Sequence, residues 1–237
     1  MPLRNTPPRL IRFPALFVTW SLMFLAPLLL SGNRTLWPAL SFAFASTNAL
    51  GAEPAPALNA KPAPLRPHPD ALPNIHKPGE VDIPANVPFI VADPAKLPGI
   101  VVDETEAKLV GAWQYSTHTP PYVGLGYLHD LKEGKGTKSV TFTPNLPRAG
   151  LYEVRLAHCY NVRRATSTPV TIHHAEGDVT LRINQQDTPP HARLFRTLGI
   201  YRFAAGRSGW VRISTEGTDG KNVIADAIQW LPVDPKS

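Results

Sequence analysis

The chain has 237 residues, 27 of them proline, and its 24 Lys+Arg against 18 Asp+Glu give a formal charge of +6. Arg4, Arg9, Arg12 and Arg34 all lie in an N-terminal segment without a single acid, so the rest of the chain is only +2 with both signs interspersed; that is a solvated surface, and it excludes a protein built to track phosphates. The lone cysteine, Cys159, excludes an internal disulfide framework, so the folded part must be held by its core, and the apolar run around Cys159 makes it a small buried hydrophobe.

Residues 1–12 carry three arginines, and residues 13–30 are apolar. A basic stretch followed by an apolar one is an export signal. A second apolar patch, 36–45, precedes small residues that offer cleavage after Ala45 or Ala52. Residues 1–52 are therefore expected to be a signal peptide or, uncleaved, a signal anchor with its arginine-rich end cytoplasmic. Either reading exports the remainder of the chain. Residues 53–98 are rich in Pro and Ala, with Pro54, Pro56, Pro62, Pro64, Pro67, Pro69 and Pro73 in close succession. Proline removes a backbone donor and disfavours helix at the residue before it. The segment is expected to be a disordered, extended linker of at most ~3.1 Å per residue. Its end, with Val87, Phe89, Ile90 and Val91, could pack on the following domain as a lead-in strand.

From Gly99 the texture changes to short alternating apolar runs between turn residues. Period two is clearest at Tyr152/Val154/Leu156, Val179/Leu181/Ile183 and Val211/Ile213, which implies strands with one buried and one wet face. Turn signals lie between the runs, at Pro147 to Gly150, Gly177, Gly206 and Gly220. Only residues 104–110 read as a helical turn. Many short strands at this spacing predict an all-β sandwich or barrel over residues 99–237.

The order of blocks in this domain resembles the C-terminal domain shared by golvesin and bacterial xanthan lyases. The blocks are Val102-Asp103, Gly111-Ala-Trp113, Gly124-Leu-Gly-Tyr127-Leu-His129-Asp130 and Gly134-Lys-Gly136. Then come Pro144-Asn-Leu-Pro147 with Gly150-x-Tyr152-x-Val154, Asn161-Val-Arg163-Arg164-Ala-Thr166, Val170-x-Ile172-x-His174 and Asn184-Gln185. The last are Leu198-Gly199 with Phe203 and Gly206, and Asp219-Gly220 with Ile224-Ala-Asp226-Ala-Ile228. The resemblance implies a β-sandwich of jelly-roll (galactose-binding-like) type that attaches larger proteins to glycans or cell-surface polymers. It does not imply the lyase reaction, which in those enzymes belongs to a separate upstream part.

The richest candidate ligand site is the aromatic, glycine-rich stretch from Trp113 to Asp130. Aromatic rings stack on the C–H faces of sugars, and His, Asp or Asn bind hydroxyls. Tyr115, Tyr122, Tyr127, His129 and Asp130 are its candidate residues, with Trp113 and Tyr127 also readable as core and Asp130 as a turn cap. A second cluster, His158, Tyr160, Asn161, Arg163 and Arg164, has the residue types of polysaccharide β-elimination; Asn161 and Arg163 are candidate contacts to an anionic glycan. The neighbours His173 and His174 point to opposite faces of a strand and cannot share a metal ion. No cofactor is implied, although a structural calcium could sit among Asp103, Glu104, Asp130 and Asp226.

The expected protein is an exported, non-catalytic module, periplasmic, cell-surface or secreted, that binds polysaccharide or envelope glycan. A structural domain binding an exported partner protein is the alternative, and a small polysaccharide lyase a third. Nucleic acid is not an expected partner, and membrane contact is expected only through an uncleaved N-terminal segment.

Overall fold

The computed structural model describes residues 66–77, 80 and 90–234. The signal segment expected over 1–52 and most of the expected linker lie outside the described residues. In chain order the strands are β1 (Val91–Ala92), β2 (Ile100–Asp103), β3 (Lys108–Val110), β4 (Gln114–Ser116), β5 (Tyr122–Val123), β6 (Tyr127–His129) and β7 (Ser139–Phe142). They continue with β8 (Gly150–Ala157), β9 (Thr168–His174), β10 (Gly177–Ile183), β11 (Phe195–Phe203), β12 (Trp210–Ser214), β13 (Ile224–Ala225) and β14 (Ala227–Val233). Two 3-10 turns, Pro94–Lys96 and Glu104–Glu106, are the only helical pieces among the described residues, and none is long and apolar enough to cross a membrane.

Two antiparallel sheets form the body of this all-β domain. One has five strands in the order β10-β9-β12-β7-β3, the other four in the order β11-β8-β14-β2. The alternation read from sequence sets which side of each faces inward. Val140, Phe142, Val170, Ile172, Val211 and Ile213 from the first sheet meet Val102, Tyr152, Val154, Leu156, Ile228 and Trp230 from the second in one buried cluster. Strand neighbours of these residues are wetter, as in β12, where Arg212 between Val211 and Ile213 is exposed. Cys159 is buried and free, in its expected role.

A third, three-stranded sheet in the order β13-β6-β4 closes one end, and β1 pairs with β5 in parallel. The aromatic, glycine-rich stretch from Trp113 to Asp130 therefore contains three short strands. Residues 104–110, expected as a helical turn, form one 3-10 turn and then β3. The last apolar run is split at Asp226. Before it β13 pairs with β6; after it β14 pairs with β8 and β2, so the chain changes sheets at that carboxylate.

Residues 66–77, within the expected linker, run along the domain. β4 is the outer strand of its sheet, and its free edge is met by Leu72, whose N–H donates to the Trp113 carbonyl at 2.8 Å and whose carbonyl accepts from the Tyr115 N–H at 2.9 Å. An open strand edge is a template for pairing, and here the chain covers its own. His68, buried, bonds the Ala107 carbonyl through Nε2 at 2.8 Å, and Asn74 Nδ2 donates to Thr117 Oγ1 at 3.0 Å. Proline content set the expectation of a free spacer, but the donors between the prolines are the ones that dock.

Candidate functional site

The end of the domain that carries β4, β6 and β13 holds a cleft of about 230 Å³. Its walls come from four parts of the chain. Ser116 and Tyr127 lie on β4 and β6, with His129 at the end of β6. His118 and Thr119 follow β4, Arg163 and Arg164 lie in the β8–β9 connection, and Ile75 and His76 come from the docked N-terminal segment. Lys132 and Asn222 complete the rim, and no Asp or Glu lines the cleft among the described residues.

Three of the seven candidates read from sequence, Tyr127, His129 and Arg163, are brought together here. Tyr127 is not a stacking platform, being 2% exposed; it offers its hydroxyl, which accepts from Ser116 Oγ at 3.2 Å. His129 is half-buried. Its Nδ1 accepts from the Leu131 N–H at 3.3 Å, so the other nitrogen carries the hydrogen, and burial, reinforced by the Arg164 charge, pushes its pKa down to about 4. The imidazole is a neutral donor at ordinary pH.

The remaining candidates have other duties. Tyr115 is buried with its hydroxyl donating to the Leu125 carbonyl at 2.7 Å, and burial raises its pKa. Tyr122 is buried beside Tyr127, ring centroids 6.1 Å apart. The expected aromatic platform of Tyr115, Tyr122 and Tyr127 is thus core, because β4, β5 and β6 bury residues on both faces at this end of the domain. Asp130 is fully buried as the organiser of the β6–β7 loop: Oδ1 accepts from the Lys132 and Val223 N–H groups, and Oδ2 pairs with Lys135 Nζ at 2.5 Å. Asn161 turns the chain, its Oδ1 accepting from the Arg163 N–H and its carbonyl from the Arg164 N–H, both at 3.0 Å.

The elimination constellation does not assemble. His158 is fully buried, neither ring nitrogen has a partner, and burial drives its pKa down to about 3. Tyr160 receives hydrogen bonds from Arg193, the shorter 2.6 Å from Nη2, and does not line the cleft. Of the five residues of that cluster, only Arg163 and Arg164 line it. Arg164, outside the seven candidates but named in the sequence as part of the elimination-type cluster, lines the cleft as well.

A different donor set lies in the interior. Asp103, Glu104 and Asp226 are each at most 2% exposed, with carboxylate oxygens within 4.8 Å of one another. Asp226 accepts from the Val123 N–H at 3.1 Å, but Asp103 Oδ1 and both Glu104 oxygens have no partner. Burial raises the pKa of all three, reinforced at Glu104 by the Asp103 and Asp226 charges and at Asp226 by the Asp103 charge. Gly124, at φ +65°, packs directly on the group: a Cβ there would stand 2.3 Å from Asp103 Oδ2. Converging oxygens without partners fit a hard divalent cation such as calcium, which takes only oxygen ligands. Three of the four carboxylates expected for calcium are therefore together, and Asp130 is elsewhere, held by Lys135.

Two histidine pairs differ in what they can bind. His173 stacks on Trp210 and pairs with Asp178, whereas His174 packs on Tyr201 and Phe203, so the neighbours do face apart. His76 and His118 stack face to face at 4.1 Å and 11°, with Glu80 3.8 Å from His76. Ligand atoms of His76, Glu80 and His118 lie within 4.8 Å of one another, a second three-residue group with the spacing of a metal set.

A sequence model described as the golvesin C-terminal domain matches residues 100–231. The xanthan lyase of Bacillus sp. (strain GL1) is 39% identical over 144 residues, which is 58% of this chain and 15% of that protein. A solved structure of Paenibacillus xanthan lyase superposes with a TM-score of 0.54 at 38% identity, over 57% of this chain and 13% of the other. A β-(1,4)-mannanase of Podospora anserina, GH26-CBM35, matches at 19% identity and TM-score 0.45, over 60% of this chain and 29% of that one. The family match starts after the docked segment 66–77, so the wall formed by Ile75 and His76 lies outside it.

Proposed function

This chain belongs to the golvesin C-terminal domain family, and on that premise we propose that it is an exported, non-catalytic module that attaches to polysaccharide or cell-envelope glycan. The observation that carries the reading is the cleft, where hydroxyls of Ser116, Thr119 and Tyr127, the Asn222 amide and neutral His129 converge without a paired base and nucleophile. Such a set orients sugar hydroxyls by hydrogen bonding and has no group poised to break a glycosidic bond. The two xanthan lyases support it: their name is that of a protein acting on a polysaccharide, and this chain corresponds to no more than 15% of their length. The basic and apolar N-terminal sequence supports export. The jelly-roll arrangement expected from the resemblance suits this role, because it leaves the loop end of the sheets open to a ligand.

Attachment to a partner protein has less support. Among the described residues the exposed large apolar side chains are Leu72 and Ile75 from the docked segment and Val91, Val110, Val162 and Ile200 from four other parts of the chain. The buried carboxylates Asp103, Glu104 and Asp226 would hold a structural calcium that fixes β2 to the β13–β14 junction.

The test is affinity electrophoresis of the full chain through gels containing neutral or acidic polysaccharides. Retardation by at least one polymer is expected. Unchanged mobility in all of them would overturn the glycan reading and leave partner-protein attachment in its place.

A further inference from the structure

Resting on that reading, we propose that the glycan is acidic and that Arg164 is the anchor for a carboxylate on one of its sugars. Arg164 is 4% exposed, yet every acceptor around its guanidinium is formally neutral. Nε donates to the Cys159 carbonyl at 3.4 Å, and Nη2 donates to Tyr127 Oη at 3.4 Å and Cys159 Sγ at 3.3 Å. The guanidinium carbon also lies 5.6 Å from the Tyr127 ring centroid. Burial raises the pKa of both the Cys159 thiol and the Tyr127 phenol, so neither supplies a negative charge at neutral pH.

No carboxylate pairs with Arg164 among the described residues, whereas Arg155 and Lys135 each have one. A guanidinium buried without a counter-charge is costly, and structures that keep one usually supply an anion. Lys132 also lines the cleft, and no acid does among the described residues. Arg164 cannot swing out to solvent easily, since its own backbone is pinned. Its N–H donates to the Asn161 carbonyl at 3.0 Å, and its carbonyl accepts from Gln186 Nε2 at 2.8 Å.

The missing partner is therefore a ligand anion. A guanidinium presents a planar fork that matches a carboxylate, and a fixed fork discriminates by geometry as well as by charge. The cleft volume of about 230 Å³ lies below that of drug-sized sites (~300–1,000 Å³) and suits one sugar residue. Hydroxyls of Ser116 and Thr119 and the His129 ring line the same cleft to receive the remaining polar groups of that residue. A uronic acid has the required chemistry.

The experiment uses affinity electrophoresis of the full chain in four media: a polyuronate, the same polymer after chemical reduction of its carboxyls, a sulfated polysaccharide and a neutral glucan. The inference expects retardation by the polyuronate, and binding weaker by about ten-fold or more to the reduced and sulfated polymers. It also expects Arg164→Lys, which keeps the charge and loses the fork, to weaken polyuronate binding by a similar factor. Where Arg164→Lys fails to fold by its melting curve, Lys132→Glu on the exposed rim takes its place, and it should weaken polyuronate binding alone. Equal binding to the intact and reduced polymers, or to sulfated and carboxylated ones, would overturn the carboxylate anchor while leaving glycan attachment standing. Retardation by none of the four would overturn both.

Discussion

Acid should destabilise this domain through one residue, His158. Its imidazole is fully buried, neither nitrogen is bonded, and burial together with the nearby Arg196 and Arg164 charges holds its pKa at about 3. In the unfolded chain the same ring titrates near 6.5. Between those values the unfolded state takes up a proton that the folded state refuses, so stability is full above about pH 6.5 and falls as pH drops toward 3. Each pH unit in that window is worth ~1.4 kcal/mol, and pH 5 lies about 1.5 units down, so going from pH 8 to pH 5 should cost about 2 kcal/mol through His158. His129, held at about 4, acts in the same direction, while the raised carboxylates Asp103, Glu104 and Asp226 act in the opposite one. A difference measurement removes both. Urea denaturation of the wild-type chain and of His158→Leu at pH 8, 7, 6 and 5, at constant calcium, should show the wild type losing about 2 kcal/mol more than the variant across the range. Parallel losses would refute the argument, because they would mean that His158 protonates as readily folded as unfolded.

Calcium should raise the melting temperature and chelation should lower it, with a stabilisation of ~2.7 kcal/mol at a hundred-fold excess over the dissociation constant; Glu104→Gln should abolish the response in a thermal melt run with and without EDTA. Gly124→Ala should destabilise by more than ~1 kcal/mol and blunt the same response, since its Cβ would sit 2.3 Å from Asp103 Oδ2 at a positive φ; equal melting curves would sink that account. Leu156→Ala, in the shared core of the two large sheets, should cost ~2–5 kcal/mol in urea denaturation without altering which polysaccharides are bound. Deleting residues 66–77 should expose the β4 edge and remove the His76 wall, and is expected both to weaken glycan retardation and to promote self-association seen by analytical ultracentrifugation.

What was legible in the sequence came from rules that act over a few residues. The alternation in Tyr152/Val154/Leu156 and Val211/Ile213 found β8 and β12, because period two in a half-buried strand is a direct record of which side is dry. The short strands β4, β5 and β6 left no such record. Both their faces are buried, so Gln114, Tyr115 and Ser116 show no alternation to read, and glycines around them look like loop. For the same reason tyrosines that look like a sugar platform turn out to be core. Asp130 and Asn161 were readable as turn residues because short polar side chains cap nearby amides, and that is where their bonds go.

An all-β domain with the residue order of its family was determined by the sequence alone, since alternation and block spacing are both written along the chain. Tertiary structure decided the chemistry. It placed Asp103 and Glu104 against Asp226, more than a hundred residues away, and set Arg164 deep in a cleft that no acid lines among the described residues. Strand pairing and burial fix both results. A charge is costly or cheap only according to what surrounds it in space, and no local pattern records which distant side chains those will be.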